Sequence, residues 1–368
     1  MPMKYISDLQ SIISINSYTK NPSGVNSVSQ IMTQWLTPLG FTDNCYQRET
    51  IGNHHLYTTP KSLGAKILLL GHNDTVFPPQ SFEGFSQDDE WVYGAGVCDM
   101  KGGNIVALES LRNIHKAFGH IENIDFLLVS DEETGSGDSK SLTASIAKDY
   151  DYCFVFEAAG NDLEVVTARK GIGTFNITIE GKASHAGVRY SEGINANLEG
   201  AYKLIEITKL TNLDLGTTVN VGKMEGGIGA NTISPKCSLL LELRYTSSSE
   251  KERLLSSLNK IVETSFVEGT TSILSGGIQR DVMEHTALQD EFITKIEEII
   301  GEKLLTEKRG GVSDANLVAS AGIPTLDGFG PFGDGDHTIK ERALKSSFES
   351  RIALMTKILT HHQTNKKL

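Results

Sequence analysis

The chain has 368 residues, 39% of them hydrophobic and 22% charged, and 34 basic against 46 acidic residues leave a formal net charge of −12. This length exceeds a common single domain and predicts two, the ordinary composition excludes a disordered or fibrous chain, and the acidic balance argues against nucleic acid or an anionic membrane as main partner. Cys45, Cys98, Cys153 and Cys237 lie far apart with no CxxC pair, which predicts reduced thiols rather than a disulfide framework or a thiolate zinc knuckle.

Near the N-terminus Ile6, Leu9, Ile12 and Ile13 are spaced like one helix face and not like a signal peptide. No apolar run approaches the roughly 20 residues that cross a bilayer. Together these predict a cytoplasmic protein without membrane insertion. Short apolar runs then alternate with helix-period segments: Ile67–Leu70, Ile105 to Ile114, Ile124–Val129, Leu142 to Ile146 and Cys153–Phe156. That rhythm predicts an α/β domain with a largely parallel sheet, and such sheets carry their sites at the carboxyl ends of the strands. Polar residues do follow each run: His72 and Asp74, then Asp131 to Glu133, then Glu157.

After Arg169 the pattern changes to alternating strands, as in Thr174 to Ile179 and Ser238 to Arg244, interleaved with helices near 195–210 and 249–265. We read 169–279 as an inserted α+β domain of one antiparallel sheet and two helices. The first domain then comprises 1–168 and 280–368, closing with a strand at Gly322 to Leu326 and a helix from about Leu344. The lysine-bearing tail after His361 is expected to fray.

Five loops carry the chemistry. In Gly71-His72-Asn73-Asp74 a neutral imidazole is a good zinc ligand and the carboxylate two residues on can fix its tautomer. Alone, the pair reads equally as a hydrogen-bonded loop. In Gly94 to Gly103, glycines surround Asp99, whose two oxygens can bridge two cations. A helix N-cap is the plainer role for Asp99, and a nucleotide loop is disfavoured because the third glycine is missing. Asp131, Glu132 and Glu133 stand in a row after a buried strand, where unpaired carboxylates would repel unless metal ions offset them. One of the neighbouring glutamates can ligate while the other takes a proton from water. A solvated acidic turn is the alternative. Glu157 ends another apolar run, and His337 sits in a turn of glycines and acids. Jointly the five positions supply two imidazoles, two terminal carboxylates and a bridging carboxylate, a set suited to two zinc ions.

In the order GHNDTV, GVCDMKGG, SDEETGS, FEAAG, GKASHAG, GGIGANTIS and GDGDH, the chain resembles the M20 metallopeptidases, and among them the carboxypeptidase G2-like glutamate carboxypeptidases. The resemblance implies a zinc-exopeptidase-like catalytic domain with an inserted lid and dimerisation domain. It also implies two zinc ions, with cobalt or manganese as substitutes. His72 and Glu157 would hold one, Glu133 and His337 the other, with Asp99 bridging, Asp74 behind His72 and Glu132 as base. His185 matches the histidine that a partner subunit brings to stabilise the oxyanion, which implies a homodimer. Asn231, Arg244 and Arg309 match holders of the substrate carboxylate; without the family, the loop histidine and the two arginines read as ordinary surface groups. The turn at His337 departs from the pattern through Asp336, which adds negative charge beside a ligand.

These implications converge on hydrolysis of the amide bond of an N-acyl amino acid or small peptide with a free C-terminal carboxylate. A deacylase of the acetylornithine or succinyl-diaminopimelate type is the nearest alternative. A non-catalytic binding protein would be expected to lack Glu132 or a ligand, and none is missing.

Overall fold

The computed structural model describes residues 4–368, so the first three residues of the segment predicted over 1–168 lie outside the described residues. Two compact units emerge: one takes the chain up to Ala168 with His285–Arg309 and Ser313–Leu368, the other Arg169–Glu284 with Gly310–Val312.

The first unit is an α/β fold around a six-stranded mixed sheet. Its centre is the strand Ile67–His72, buried along its whole length and paired in parallel with Ile124–Val129 on one side and Tyr152–Val155 on the other. A strand covered on both faces reads as a continuous apolar run, which is why these segments are legible in sequence. The register sets His72 opposite Val129 and Leu70 opposite Val155. The three carboxyl ends therefore reach one edge, where the loops that follow deliver their polar residues. An antiparallel hairpin, Thr42–Tyr46 with His54–Thr58, extends one side and the short parallel strand Thr325–Leu326 the other. No helix among the described residues is long and apolar enough to cross a membrane.

Helix Lys101–Phe118 buries Ile105, Val106, Leu108, Leu111 and Ile114 and stops at Gly119, whose left-handed backbone donates to His115 O, a glycine C-cap. Its start is crowded. A Cβ on Gly103 would lie 1.8 Å from Phe156 O, and one on Gly102 would lie 2.0 Å from Val97 O. The glycine pair lets the first helical turn press against the backbone that leads into Glu157. Met100, rather than Asp99, occupies the N-cap of this helix. The capping role considered for Asp99 therefore falls away, and its carboxylate is left for other partners.

The C-terminal helix runs Lys345–Asn365 and buries His362 and Gln363. Ala65 N–H donates to Lys366 O at 2.9 Å, so the tail expected to fray after His361 is docked on the first unit. A buried helix face continues through residues whose polar letters suggested solvent.

In the second unit four antiparallel strands lie in the order Thr218–Gly226, Lys236–Tyr245, Gly171–Glu180, Thr271–Arg280. Helices Ala196–Thr208 and Ser248–Glu263 bury Ile207, Leu254, Leu258 and Val262 in a core shared with Ile177, Leu239 and Leu241. Met283 pairs with Arg169, and Gly310 O and Gly311 O accept from Arg244 and Arg169, so the unit's edges are stitched by hydrogen bonds.

Candidate metal centre

At the carboxyl edge of the mixed sheet two ligand groups share one carboxylate. His72, Asp99 and Glu157 form the first and Asp99, Glu133 and His337 the second, with the donor atoms of each group within 4.8 Å of one another. His72 Nε2 lies 3.2 Å from Asp99 Oδ1 and 3.7 Å from Glu157 Oε1. His337 Nε2 lies 3.3 Å from Asp99 Oδ2 and 3.1 Å from Glu133 Oε2. The two oxygens of Asp99 thus face different histidines, the arrangement that lets one carboxylate serve two cations.

His72 is held from behind. His72 Nδ1 sits 3.0 Å from the Asp74 carbonyl oxygen and 3.4 Å from Asp74 Oδ1. In the neutral ring that can ligate, the proton then belongs on Nδ1, leaving the Nε2 lone pair toward the carboxylates. The backbone carbonyl, not the carboxylate alone, fixes this tautomer. Asn104 adds a bond from Nδ2 to His72 O at 2.8 Å. The Asp74 carboxylate meanwhile accepts Thr19 Oγ1 at 2.6 Å and the amides of Glu132 and Glu133 at 3.3 Å each. One buried aspartate therefore couples His72 to the acidic turn Glu132–Thr134. Glu132, nearly buried, belongs to neither ligand group. Exposed Asp336 belongs to neither as well.

The electrostatics show what the cluster needs. Burial, with the Asp99 charge beside it, pushes Glu133 up to about 8, and the same causes in the same order hold Glu157 well above its usual range. His337 is pushed up to about 11 by its hydrogen bonds to Asp99 and Glu133. Burial opposes charge on His72, yet the bonds to Asp74 and Asp99 outweigh it and raise its pKa well above the ordinary value. Asp99 goes the other way: burial opposes its charge, but the bonds to His337 and His72 prevail and lower its pKa. Without cations, protons on Glu133 and Glu157 and on the two histidines offset the acidic charge around Asp99. Two divalent ions would replace them, so the donor chemistry fits a nitrogen and oxygen metal pair.

That replacement has a sign. Groups with raised pKa values hold protons below those values and must shed them to ligate, so metal affinity should rise with pH across the neutral range. Calorimetric titration at pH 7 in buffers of different ionisation enthalpy should show more than about one proton released per chain on metal loading. Buffer-independent heats would contradict this electrostatic picture.

The other predicted residues belong to neither ligand group. In the second unit the strand-like pairing of His185 with Thr232, and the bond from Ala186 N–H to Asn231 O at 2.9 Å, bring His185 and Asn231 together. His185 is exposed, and its Nδ1 accepts the Gly187 N–H at 3.2 Å, which puts the ring proton of the neutral form on Nε2. An open cleft of 490 Å³ beside these loops is lined by Ala186, Tyr190, Asn195, Gly229 and Thr232 among others. Arg244 Nε donates to Glu242 Oε1 at 2.7 Å and its Nη1 to Gly310 O at 2.9 Å. In the first unit Arg309 Nε and Nη2 hold Glu307 Oε1 at 2.8 and 2.6 Å, and Nη1 donates to Ala158 O at 2.9 Å. Each arginine is therefore already braced by the glutamate two residues before it. Sequence reading passed over Asn104, Thr19 and these glutamates, since a single polar letter in a helix, loop or strand carries no periodic signal.

An α/β sheet with paired ligand groups on its carboxyl edge presents a candidate two-metal centre. Residues 68–361 match the model of peptidase family M20/M25/M40. The chain belongs to that family and is a hydrolase of amide bonds, a metallopeptidase by class. It is 26% identical to carboxypeptidase G2 of Pseudomonas sp. (strain RS-16) over 349 residues, covering 91% of this chain and 83% of that one. It is 25% identical to a succinyl-diaminopimelate desuccinylase of Nitrosomonas eutropha over 390 residues, covering 97% and 98%. Its fold is shared with the crystal structure of an aminopeptidase, PepT, of Bacillus cereus, at a TM-score of 0.81 and 22% identity over 97% of each chain.

Proposed function

We propose that the chain is a two-metal hydrolase of N-acyl amino acids or short peptides that carry a free C-terminal carboxylate, on the model of the glutamate carboxypeptidases. The observation that carries this reading is the sharing of Asp99 between two ligand groups with Glu132 beside Glu133. Zinc is the proposed metal, with cobalt or manganese as substitutes, because two imidazoles and three carboxylates make a borderline donor set. His72 and Glu157 would hold one ion and Glu133 and His337 the other, with Asp99 common to both.

When bound, the metal pair supplies Lewis acidity that polarises the amide carbonyl and lowers the pKa of water. Glu132 takes the proton of the attacking water and returns it to the leaving amine. His185, with its proton on Nε2, supports the oxygen that gains negative charge. Asn231, Arg244 and Arg309 grip the terminal carboxylate. An arginine fork braced by a glutamate still has donors to spare for a second carboxylate. Screening N-acyl amino acids against their C-terminal amides tests this grip. Free acids should be preferred by about tenfold or more, and Arg244→Ala should raise KM with little change in kcat. Equal turnover of acid and amide would refute it.

A second reading, an N-deacylase, is favoured by the likeness to desuccinylases over nearly the whole chain. The same screen decides between the two: preference set by the acyl group rather than the C-terminal residue supports the deacylase.

The family resemblance further suggests a homodimer in which His185 completes a partner's site. Mixing the inactive variants Glu132→Ala and His185→Ala should then restore about a quarter of wild-type activity per chain pair if subunits exchange freely. No recovery on mixing, with subunit exchange demonstrated, would count against action in trans. The four cysteines are unpaired and three are buried, which supports the proposed cytoplasmic location. Recovery of the protein from an oxidising compartment after cell fractionation would contradict it.

A further inference from the structure

The loop that carries Asp99 is gripped by a carboxylate outside both ligand groups. Glu341 is 1% exposed. Its Oε1 accepts the backbone N–H groups of Gly96, Cys98 and Asp99 at 3.1, 3.0 and 3.1 Å, and its Oε2 shares the Gly96 N–H at 3.0 Å. Its own backbone reaches both sides of the site. Gly94 N–H donates to Glu341 O at 3.4 Å, and Glu341 N–H donates to Thr338 O, next to His337, at 3.1 Å. One residue thus ties the main chain of the shared ligand to the turn that bears His337.

Asp99 has an unusual demand on its position. Its oxygens must stand at 3.2 Å from His72 and 3.3 Å from His337 at once, so a small rotation toward one histidine abandons the other. Three amides converging on one carboxylate oxygen, each at an ordinary N–H···O distance, fix the loop in more than one direction. Groups that orient ligands commonly change metal affinity by about tenfold to a hundredfold when removed.

We propose that Glu341 is a positioning residue: it clamps the Gly96 to Asp99 backbone so that the Asp99 carboxylate is held between the two metal positions. This rests on the two-metal reading. The Glu341 carboxylate bonds main-chain N–H groups and belongs to neither ligand group. Loss of the clamp frees Asp99 to follow one histidine, and shared binding is weakened before the fold is lost.

Three variants separate this from simple stabilisation. Glu341→Gln keeps a carbonyl oxygen where Oε1 stands, and so retains one acceptor for all three amides while losing the Oε2 share of the Gly96 N–H. Glu341→Ala strands those N–H groups, and Glu341→Asp withdraws the carboxylate by one methylene, so Asp carries the test should Ala fail to fold. Full-length proteins, stripped with a chelator, are titrated with Co2+ while bound metal and the visible absorption of the ion are followed. Amide exchange of residues 94–101 is measured in the metal-free state. The expected result is Co2+ binding weakened by about tenfold to a hundredfold in the Ala and Asp variants, with faster exchange at Gly96, Cys98 and Asp99. Glu341→Gln should remain within a few-fold of wild type in both readouts. Co2+ affinity and spectrum equal to wild type in the Ala or Asp variant, with only a lower Tm, would overturn the proposal. So would a Gln variant as impaired as the Ala variant. Wild-type protein that takes up no Co2+ would contradict the two-metal reading itself, and the exchange measurement would still decide whether Glu341 clamps the loop.

Discussion

Glu132→Ala should lower amide hydrolysis by about a hundredfold to ten-thousandfold while both metals stay bound, because removal of a general base costs the proton transfer and not the ligands. Glu132 sits in the turn Glu132–Thr134, beside the ligand Glu133, and its amide is pinned by Asp74 Oδ1 at 3.3 Å. It is nearly buried yet absent from both ligand groups. Metal analysis and kcat on the same preparation check the prediction. A variant with full metal and the wild-type rate would remove Glu132 from the mechanism; a variant that loses metal would reassign it as a ligand.

The second large effect is expected at Asp99. A residue that serves one position only, such as Glu157 or His337, should when replaced weaken one ion more than the other. Asp99→Ala should weaken both, since each of its oxygens faces a different histidine. The variant should therefore fall below one metal per chain under conditions that load wild type fully, and hydrolysis should drop to background. A second effect runs in the opposite direction: without the Asp99 charge, its contribution to the raised pKa values of Glu133 and Glu157 disappears. Those acids then ionise more readily, which partly offsets the lost ligand. Retention of two tightly bound metals would show that this offset wins and that Asp99 is not the shared ligand.

The strand ends were legible because buried parallel strands leave uninterrupted apolar runs, and Ile67–His72 and Ile124–Val129 are such runs. The hairpin Thr42–Tyr46 with His54–Thr58 was not, because its first strand is polar and partly exposed while its second buries two histidines. Burial of His362 and Gln363 hid the last turn of the C-terminal helix for the same reason. Residue chemistry alone could nominate His72, Asp99, Glu133, Glu157 and His337, yet nothing in a sequence measures the distance from a turn near the C-terminus to Asp99. The ordered motifs of the family supplied that link. Contacts made through backbone groups were beyond either source. Asp74 O on His72, and the three amides on Glu341, involve atoms that every residue carries. The pairing of Arg244 and Arg309 with glutamates two residues upstream was visible as letters, but strand and loop geometry decide whether such neighbours meet.

Metal stoichiometry recorded against activity decides whether two ions at this centre carry the hydrolysis. The chelated protein is titrated with Zn2+ while bound metal and hydrolysis of an N-acyl amino acid are recorded together. Two ions per chain, with activity absent from the stripped protein and restored as the sites fill, is the predicted result. Undiminished hydrolysis by the metal-free protein, or saturation at a single ion with Asp99 dispensable, would contradict it.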